Sequence, residues 1–439
     1  MSVIGVINSD QGITKTIESE LAEINLSGDV MPSHADTHEI LEYLNFDMPE
    51  VIIMNLSDAN INTDYILKQI ISDTWLHNFG IVGIFNKKTH DEKKLMQKLK
   101  KINLLNLFEY AKINSNLSKS INIILANRQI IFQREISDKL VEKISGSFEI
   151  DNDIMAVPSY TNLIAIALAN QGYVDEEMKI NTNISLSELI INGIEHGNCK
   201  ITYREKAEYI NNGGSIYELI AEKCKNSEIA KKRVVLEYEI FPDHSVFKIR
   251  DEGDGFDVKR YQEWIQKKNP YSLLGRGILM ARGFSKRLSY NNKGNEATLL
   301  IEHKNVPVSS PAGFSDQQAL HFKKSEIIFR EGEESNFIYY ILSGRYGVYH
   351  KNKKIGYITP SDIFMGEMSF LLNNQRSATV QAEKEGKLLK ISKKQFISVI
   401  KKYPHYGIFL SRLIARKLAR TNIATAHMML RMSEYNKGF

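Results

Sequence analysis

The chain has 439 residues, 43% of them hydrophobic and 25% charged, which favours two to four globular domains over one. A formal net charge of +5 is too mild at this length to call for nucleic acid. No window approaches the roughly 18 uninterrupted apolar residues of a membrane span, and "MSVIGVINSDQG" lacks the basic start and long apolar run of a signal peptide. Cys199 and Cys224 form no metal-like spacing and suggest no disulfide framework, so a cytoplasmic protein with reduced thiols is expected.

The first segment, residues 1–127, alternates strand-like and helix-like runs. "SVIGVIN", "VIIMNL" and "FGIVGIF" read as strands and "LLNLFEY" as a fourth; "ITKTIESELAEI" reads as a helix. This alternation predicts a doubly wound parallel sheet. The segment resembles the receiver domain of two-component systems. That resemblance implies an acidic pair after the first strand and a phospho-accepting aspartate after the third. Here those strands end in "NSD", Asn8 to Asp10, and in Asn55, and an amide cannot take a phosphoryl group as a carboxylate does. The resemblance is therefore to a degenerate receiver, a docking or dimer module. Residues 128–144, "RQIIFQREISDKLVEKI" to Ile144, read as a helical linker containing no histidine.

The second segment, residues 145–304, contains "ISLSELIINGIEHGN", an apolar helix on which Glu188, Asn192 and His196 recur every four residues. Such a face is either solvated or the edge of a cleft. An alternating strand then runs into "DEGDGFD", with Asp251, Gly253 and Gly255; taken alone this is a hairpin turn. "LLGRGILMAR" places Gly275 and Gly277 at the start of an amphipathic stretch, where free backbone N–H groups can meet an anion. The strand-like "EATLLIEHK" follows, with Thr298.

In this order the boxes resemble the Bergerat ATP-binding fold, an α/β sandwich shared by histidine kinases, gyrase and certain bacterial serine kinases. The resemblance implies that Asn192 coordinates Mg²⁺ through its amide oxygen, a hard donor for a hard cation. It implies that Asp251 accepts from the adenine amino group, that Gly253 and Gly255 turn the chain beneath the base, that Gly275 and Gly277 line the phosphates, and that Thr298 lies near the adenine. Glu188 is implied as general base on water or a protein hydroxyl. "EHG", "GRGILMAR" and the insert from Cys199 to Arg233 resemble the anti-sigma-factor serine kinases of partner-switching systems. Their substrate is a serine or threonine on an anti-sigma-factor antagonist protein. Two alternatives stand: a sensor histidine kinase, which needs a phosphoacceptor histidine that the 128–144 stretch lacks, and a module that binds nucleotide and transfers nothing.

"KNVPVSSPAGFSDQQ" reads as a linker, residues 305–319. Short strand-like runs divided by turn residues then open the third segment, residues 320–439, and predict a small β-barrel or jelly roll with trailing helices. In "IFMGEMSFLLNNQRSATVQA", Arg376 follows Glu367 by nine residues, a spacing that could also be a surface ion pair. The whole string resembles the phosphate-binding cassette of cyclic nucleotide-binding domains. That resemblance implies Arg376 on the cyclic phosphate of cAMP or cGMP, Glu367 on the ribose 2′-hydroxyl, and N–H groups around Gly366, Ser377 and Ala378 completing the anion nest. Arg412, Arg416, Lys417 and Arg420 read as a solvated or docking face. No DNA-binding appendage and no membrane partner are expected, and a homodimer through the first segment or the last helices is the expectation by analogy. The combined expectation is a cytoplasmic protein serine/threonine kinase that uses ATP and Mg²⁺ and is regulated by a cyclic nucleotide.

Overall fold

The apolar runs near the N-terminus are buried along their whole length, as strands covered on both faces must be. In the computed structural model these are β1 (Ile4–Ile7), β3 (Val51–Asn55) and β4 (Gly80–Phe85), every residue of which is buried. The structure describes residues 4–26, 28–30, 36–73, 76–127, 130, 144–260, 283, 285–304, 306–308, 310, 312–314, 316–415 and 418. With the two-residue β2 (Asp29–Val30) and β5 (Leu104–Glu109), the strands form a parallel sheet in the order β2-β1-β3-β4-β5. This is the doubly wound order 2-1-3-4-5. Helices α1 (Gln11–Glu23), α2 (Thr37–Phe46), α3 (Thr63–Ser72), α4 (Glu92–Lys98) and α5 (Leu117–Ala126) connect and follow the strands. Asp10 is the N-cap of α1, accepting from the N–H groups of Gly12 and Ile13.

The second sheet is wholly antiparallel, in the order β6-β7-β8-β10-β9. Its strands are β6 (Ile144–Ile150), β7 (Val234–Ile240), β8 (His244–Arg250), β9 (Arg287–Tyr290) and β10 (Glu296–Glu302). Burial alternates along β7, β8 and β10, so one face is turned to the core. Against it lie α6 (Val157–Asn170) and α7 (Glu176–Asn192). The insert between α7 and β7 folds as α8 (Tyr203–Asn211), α9 (Ile216–Lys223) and α10 (Ser227–Ala230), the first two opened by capping boxes at Thr202 and Ser215. Ile144 opens β6 rather than closing a helix; apart from Ile130 and Ile144, the stretch read as a helical linker lies outside the described residues.

A single apolar cluster runs from Val82 and Phe108 of the first sheet through Ile121 and Leu163 to Leu236 and Phe247 of the second. Within it, Asn106 of β5 donates to Ser159 Oγ of α6 at 3.1 Å, and Ser120 Oγ meets Ser159 Oγ at 2.7 Å. Lys119 pairs with Asp151 and Asp153 at 2.7 and 2.8 Å. The first two units therefore share a core.

The third unit is a β-sandwich of two four-stranded antiparallel sheets, β11-β18-β13-β16 and β12-β17-β14-β15. Its strands are β11 (Ala319–Phe322), β12 (Ile327–Phe329), β13 (Phe337–Ser343), β14 (Tyr346–His350), β15 (Lys353–Ile358), β16 (Phe364–Met365), β17 (Thr379–Ala382) and β18 (Gly386–Ser392). Helix α11 (Glu367–Leu372) breaks the strand series; α12 (Lys393–Lys402) and α13 (405–415) follow it. Arg412 of α13 donates to the carbonyls of Phe46 and Asp47 at the end of α2, at 2.8 and 2.9 Å, so it is a docking residue. Arg416, Lys417 and Arg420 lie outside the described residues. Among the described residues, no helix is long and apolar enough to cross a membrane.

Candidate functional sites

Helix α7 is continuous through Asn192, and then the chain widens into a π-turn over Gly193–Asn198. Such expansions shift the phase of a helix face and are frequent at functional sites. The four-residue repeat divides between the cavity and its surroundings. Asn192 and His196 line a cavity of about 140 Å³, together with Asp251, Gly255, Tyr290 and Asn295; Glu188 is not among its lining residues. That volume is below the roughly 300–1,000 Å³ of a complete small-molecule site and is of the scale of a single base.

Asp251 is held at this cavity by three hydrogen bonds to two neighbours, Asn295 and Gly253. Its N–H donates to Asn295 O at 3.0 Å, its carbonyl accepts from Asn295 Nδ2 at 2.9 Å, and its Oδ1 accepts from Gly253 N at 2.8 Å. Burial pushes its carboxyl above the usual aspartate range, with the Gly253 N–H opposing the shift. Gly197 is the reason the carboxylate fits, since a Cβ there would stand 2.3 Å from Asp251 Oδ1. Gly255 has φ +80° and a Cβ on it would stand 1.9 Å from Lys293 O, so this position requires glycine. Gly253 packs against Gly197 O. Thr298 pairs with Lys248 and Ser289 in the sheet and does not line the cavity, although its neighbours Glu296 and Ala297 do. Gly275 and Gly277 lie outside the described residues.

Glu188 is half-buried, one turn before Asn192. Burial pushes its carboxyl above the usual range; the Lys206 charge pulls it down and the Glu195 charge adds to the rise. Glu195, 2% exposed, takes both oxygens to Lys206 Nζ of α8, at 2.6 and 2.9 Å. No periodicity in the sequence links those two residues, because the pair joins separate helices. His196 is itself held in place: Nδ1 meets Ile201 O at 2.6 Å and the ring lies 4.4 Å from that of Tyr203. Asn198, fully buried, donates to Asn152 Oδ1 and accepts from Glu252 N, both at 2.9 Å. It thereby ties the π-turn to the loop after β8.

The cassette of the β-sandwich is equally specific. Gly366 caps α11 with φ +75°, and a Cβ there would stand 2.2 Å from Arg376 Nη1. Arg376 is 4% exposed and Glu367 7%. Arg376 Nη1 donates to Gly366 O at 2.8 Å and Ser369 Oγ at 3.0 Å, and Nη2 donates to Phe337 O. Its guanidinium lies 4.3 Å from the Phe329 ring centroid. Arg376 Nε is buried without a hydrogen-bond partner among the described residues. A buried cationic donor with an unused N–H suits an anionic ligand, which fits a cyclic phosphate. Ser377 is exposed and Ala378 half-buried beside it, and Ser377 O accepts at 3.2 Å from His350 Nδ1.

At the ends of β1 and β3, Asn55 Nδ2 donates to Asn8 Oδ1 at 2.6 Å while Tyr110 Oη donates to Asn55 Oδ1 at 2.7 Å. Asp58 accepts from the backbone and hydroxyl of Ser9. The polar groups here satisfy one another.

Comparison with known proteins agrees with two of these units. Residues 156–301 match the histidine kinase-like ATPase domain, and residues 319–403 match the cyclic nucleotide-binding domain. Among curated relatives, the chain is 32% identical over 80 residues to a cGMP-dependent protein kinase of Plasmodium berghei, covering 18% of this chain and 9% of that protein. It is 24% identical over 126 residues to the cyclic AMP receptor protein of Thermus thermophilus, covering 28% of this chain and 58% of that one. The solved catabolite activator protein of Thermus thermophilus matches at 22% identity and a TM-score of 0.25, covering 27% of this chain and 57% of that chain. The chain thus spans less than two thirds of each of these relatives. Its architecture is mixed α/β, with a parallel sheet at the N-terminus, a histidine kinase-like ATPase domain in the middle and a β-sandwich cyclic nucleotide-binding domain at the C-terminus, a combination that points to nucleotide-regulated signalling.

Proposed function

We propose that this protein is a cytoplasmic, ATP-dependent protein serine/threonine kinase of the anti-sigma-factor type, built on a Bergerat α/β sandwich and regulated by a cyclic nucleotide. The observation that carries the reading is the convergence of Asn192, Asp251 and Gly255 on one cavity beside the half-buried Glu188. On this reading Asp251 receives the adenine amino group, with Gly253 and Gly255 beneath the base and Thr298 on the adjoining strand. Asn192 would hold Mg²⁺ through its amide oxygen, and the cation would supply neutralisation of phosphate charge. Gly275 and Gly277 belong to the phosphate-binding segment. Glu188 receives the proton of the attacking hydroxyl; burial raises its carboxyl above the ordinary range and makes it a better base than an ordinary glutamate. The substrate is a serine or threonine on an anti-sigma-factor antagonist-like protein.

The β-sandwich takes cAMP or cGMP, with Arg376 on the phosphate, Glu367 on the ribose, and the Gly366, Ser377 and Ala378 backbone around the anion. The N-terminal unit works as a degenerate, receiver-like docking module, a reading supported by the closed Asn8–Asn55–Tyr110 network and by the core it shares with the ATPase unit.

A second reading, a scaffold that binds both nucleotides and transfers nothing, is favoured by one observation: Glu188 is not among the residues lining the cavity. Radiolabelled ATP with a serine-bearing antagonist protein separates the two. Transfer by the wild type that is lost in Glu188→Gln supports the kinase. Binding of both nucleotides without transfer supports the scaffold.

A further inference from the structure

A cavity of about 630 Å³ lies where all three units meet. That is within the roughly 300–1,000 Å³ of small-molecule sites, which favour domain junctions. Its walls include His77 and Ile102 of the N-terminal unit, the turn between α6 and α7 of the ATPase unit, Val306 and Val308 of the connecting segment, and Pro360 and Ile363 of the β-sandwich. The connecting segment is pinned on both sides: Val306 N donates to Gly172 O at 3.0 Å and Val308 N to Leu342 O at 2.7 Å. Gly172 has φ +70°, and a Cβ there would stand 2.9 Å from Val306 O, so glycine is what admits this approach. The cavity shares no residue with the one at Asp251 or with the Arg376 cassette.

Its polar groups are sorted by depth. Asn170, at the end of α6, has its Nδ2 buried with no hydrogen-bond partner among the described residues. Lys179 of α7 is half-buried, and its Nζ donates to Lys100 O at 3.0 Å and Ile102 O at 3.2 Å. Two of its three N–H groups are thus spent on neutral acceptors, and among the described residues it has no carboxylate at ion-pair distance. Burial pulls its ammonium below the usual lysine range, with the Glu176 charge opposing. Asp175 is already occupied, accepting from Met178 N at 2.7 Å and meeting Lys304 Nζ at 3.4 Å. Glu176 and Glu177 are exposed at the rim, as is Lys101. His77, pushed down to about 4 chiefly by burial, is uncharged at neutral pH.

Inner donors suit a carboxylate, rim carboxylates suit an ammonium, and the walls of Ile102, Val308 and Ile363 suit hydrocarbon. We infer that this cavity binds a small zwitterion with an apolar side chain, of the class of the free apolar α-amino acids, its carboxylate on Lys179 and Asn170 and its ammonium at Glu176 and Glu177. A simple carboxylate would meet the rim acids without a counter-charge, and a simple amine would leave the inner donors unused. Because the walls belong to all three units, the bound molecule stabilises their docked arrangement over any in which they part.

The test is calorimetric titration of the full chain with L-leucine, L-phenylalanine and L-tryptophan. For each, the analogue lacking the ammonium and the analogue lacking the carboxylate are titrated alongside. At least one amino acid binds, one per chain, and both of its truncated analogues bind about tenfold or more weakly. In the complex, hydrogen exchange slows at the amides of Val306 and Val308. Lys179→Met keeps the length of the side chain, loses its charge and lowers the affinity by about tenfold or more. Should Lys179→Met fail to fold, Asn170→Asp, nearly isosteric and of the wrong charge, carries the same expectation. The inference is overturned if none of the three amino acids binds at millimolar concentration, if a truncated analogue binds as tightly as its parent, if the exchange of Val306 and Val308 is unchanged in the complex, or if the folded variant keeps the wild-type affinity.

Discussion

Tyr406 of the β-sandwich's trailing helix donates its hydroxyl to Asp73 of the N-terminal unit at 2.6 Å, in a buried contact between residues 333 positions apart. The same hydroxyl accepts from Gly313 N at 3.3 Å. Around it, Leu76 of the N-terminal unit joins Phe314, Tyr406 and Leu410 in one apolar cluster, with Met48 packed against it. His77 is buried beside His405, and burial chiefly, with the His405 charge second, pushes it down to about 4. The cyclic nucleotide-binding unit is thus latched to the first unit through α13. It also touches the ATPase unit, where Thr359 Oγ1 meets Gln171 Oε1 at 3.2 Å and Lys384 Nζ meets Pro242 O at 3.2 Å.

Tyr406→Phe removes one buried donor and leaves the ring in place. The expected loss of stability is about 1–3 kcal/mol. Because Asp73→Ala removes the other end of the same bond, the double variant is expected to lose less than the sum of the single ones. Chemical denaturation of the four proteins checks this; strict additivity would mean that the bond contributes nothing.

Arg376→Lys keeps the charge and loses the planar fork. Cyclic nucleotide affinity is expected to fall by about 1.5–3 kcal/mol, tenfold or more, with the affinity for an ATP analogue unchanged. Equilibrium titration with fluorescent cAMP and cGMP reads both. Retained affinity would remove Arg376 from the ligand's shell.

Glu188→Gln is nearly isosteric and cannot accept the proton. Phosphoryl transfer is expected to fall by about 10²–10⁴-fold while ATP affinity stays within about a few-fold. In the wild type, the rate is expected to rise with pH as Glu188 ionises, the limb lying above the ordinary glutamate value of 4.5. An equal loss of binding and transfer would make Glu188 a structural residue.

Asp251→Asn addresses the cost of keeping a carboxylate at the cavity. The folded-state value of Asp251 lies above the ordinary 3.8, so its favourable contribution is full below 3.8 and is lost as pH rises through the folded value. The neutral variant is therefore expected to melt above the wild type at neutral pH, with the difference closing in acid, while nucleotide binding is weakened. Thermal melts across pH check the sign; a variant less stable at neutral pH and equal in acid would reverse it.

Much of this was legible in the residues because it is local. Strands β1, β3, β4 and β5 announce themselves as apolar runs, and Gly255 and Gly366 sit where φ is positive. Asn192 and Asp251 came together through the order of their motifs, and the fold sets both on one cavity. What escaped is non-local. Strand β2 has only two residues and no period to detect. The π-turn over Gly193–Asn198, on which His196 sits, has no sequence period of its own. The Glu195–Lys206 pair and the latch of Tyr406 on Asp73 depend on helices meeting in three dimensions. Asn106, a polar residue inside a strand, signals the shared core only once Ser120 and Ser159 are seen to satisfy it.

The central claim is that the two nucleotide sites are linked, and calorimetric titration of the full chain tests it most directly. cAMP and cGMP are titrated into protein alone and into protein saturated with a non-hydrolysable ATP analogue and Mg²⁺. Linkage predicts a cyclic nucleotide affinity that shifts by about fivefold or more when the ATP site is filled, with the reciprocal shift in the analogue's affinity. Tight binding of both ligands with no mutual effect would contradict regulation of one site by the other.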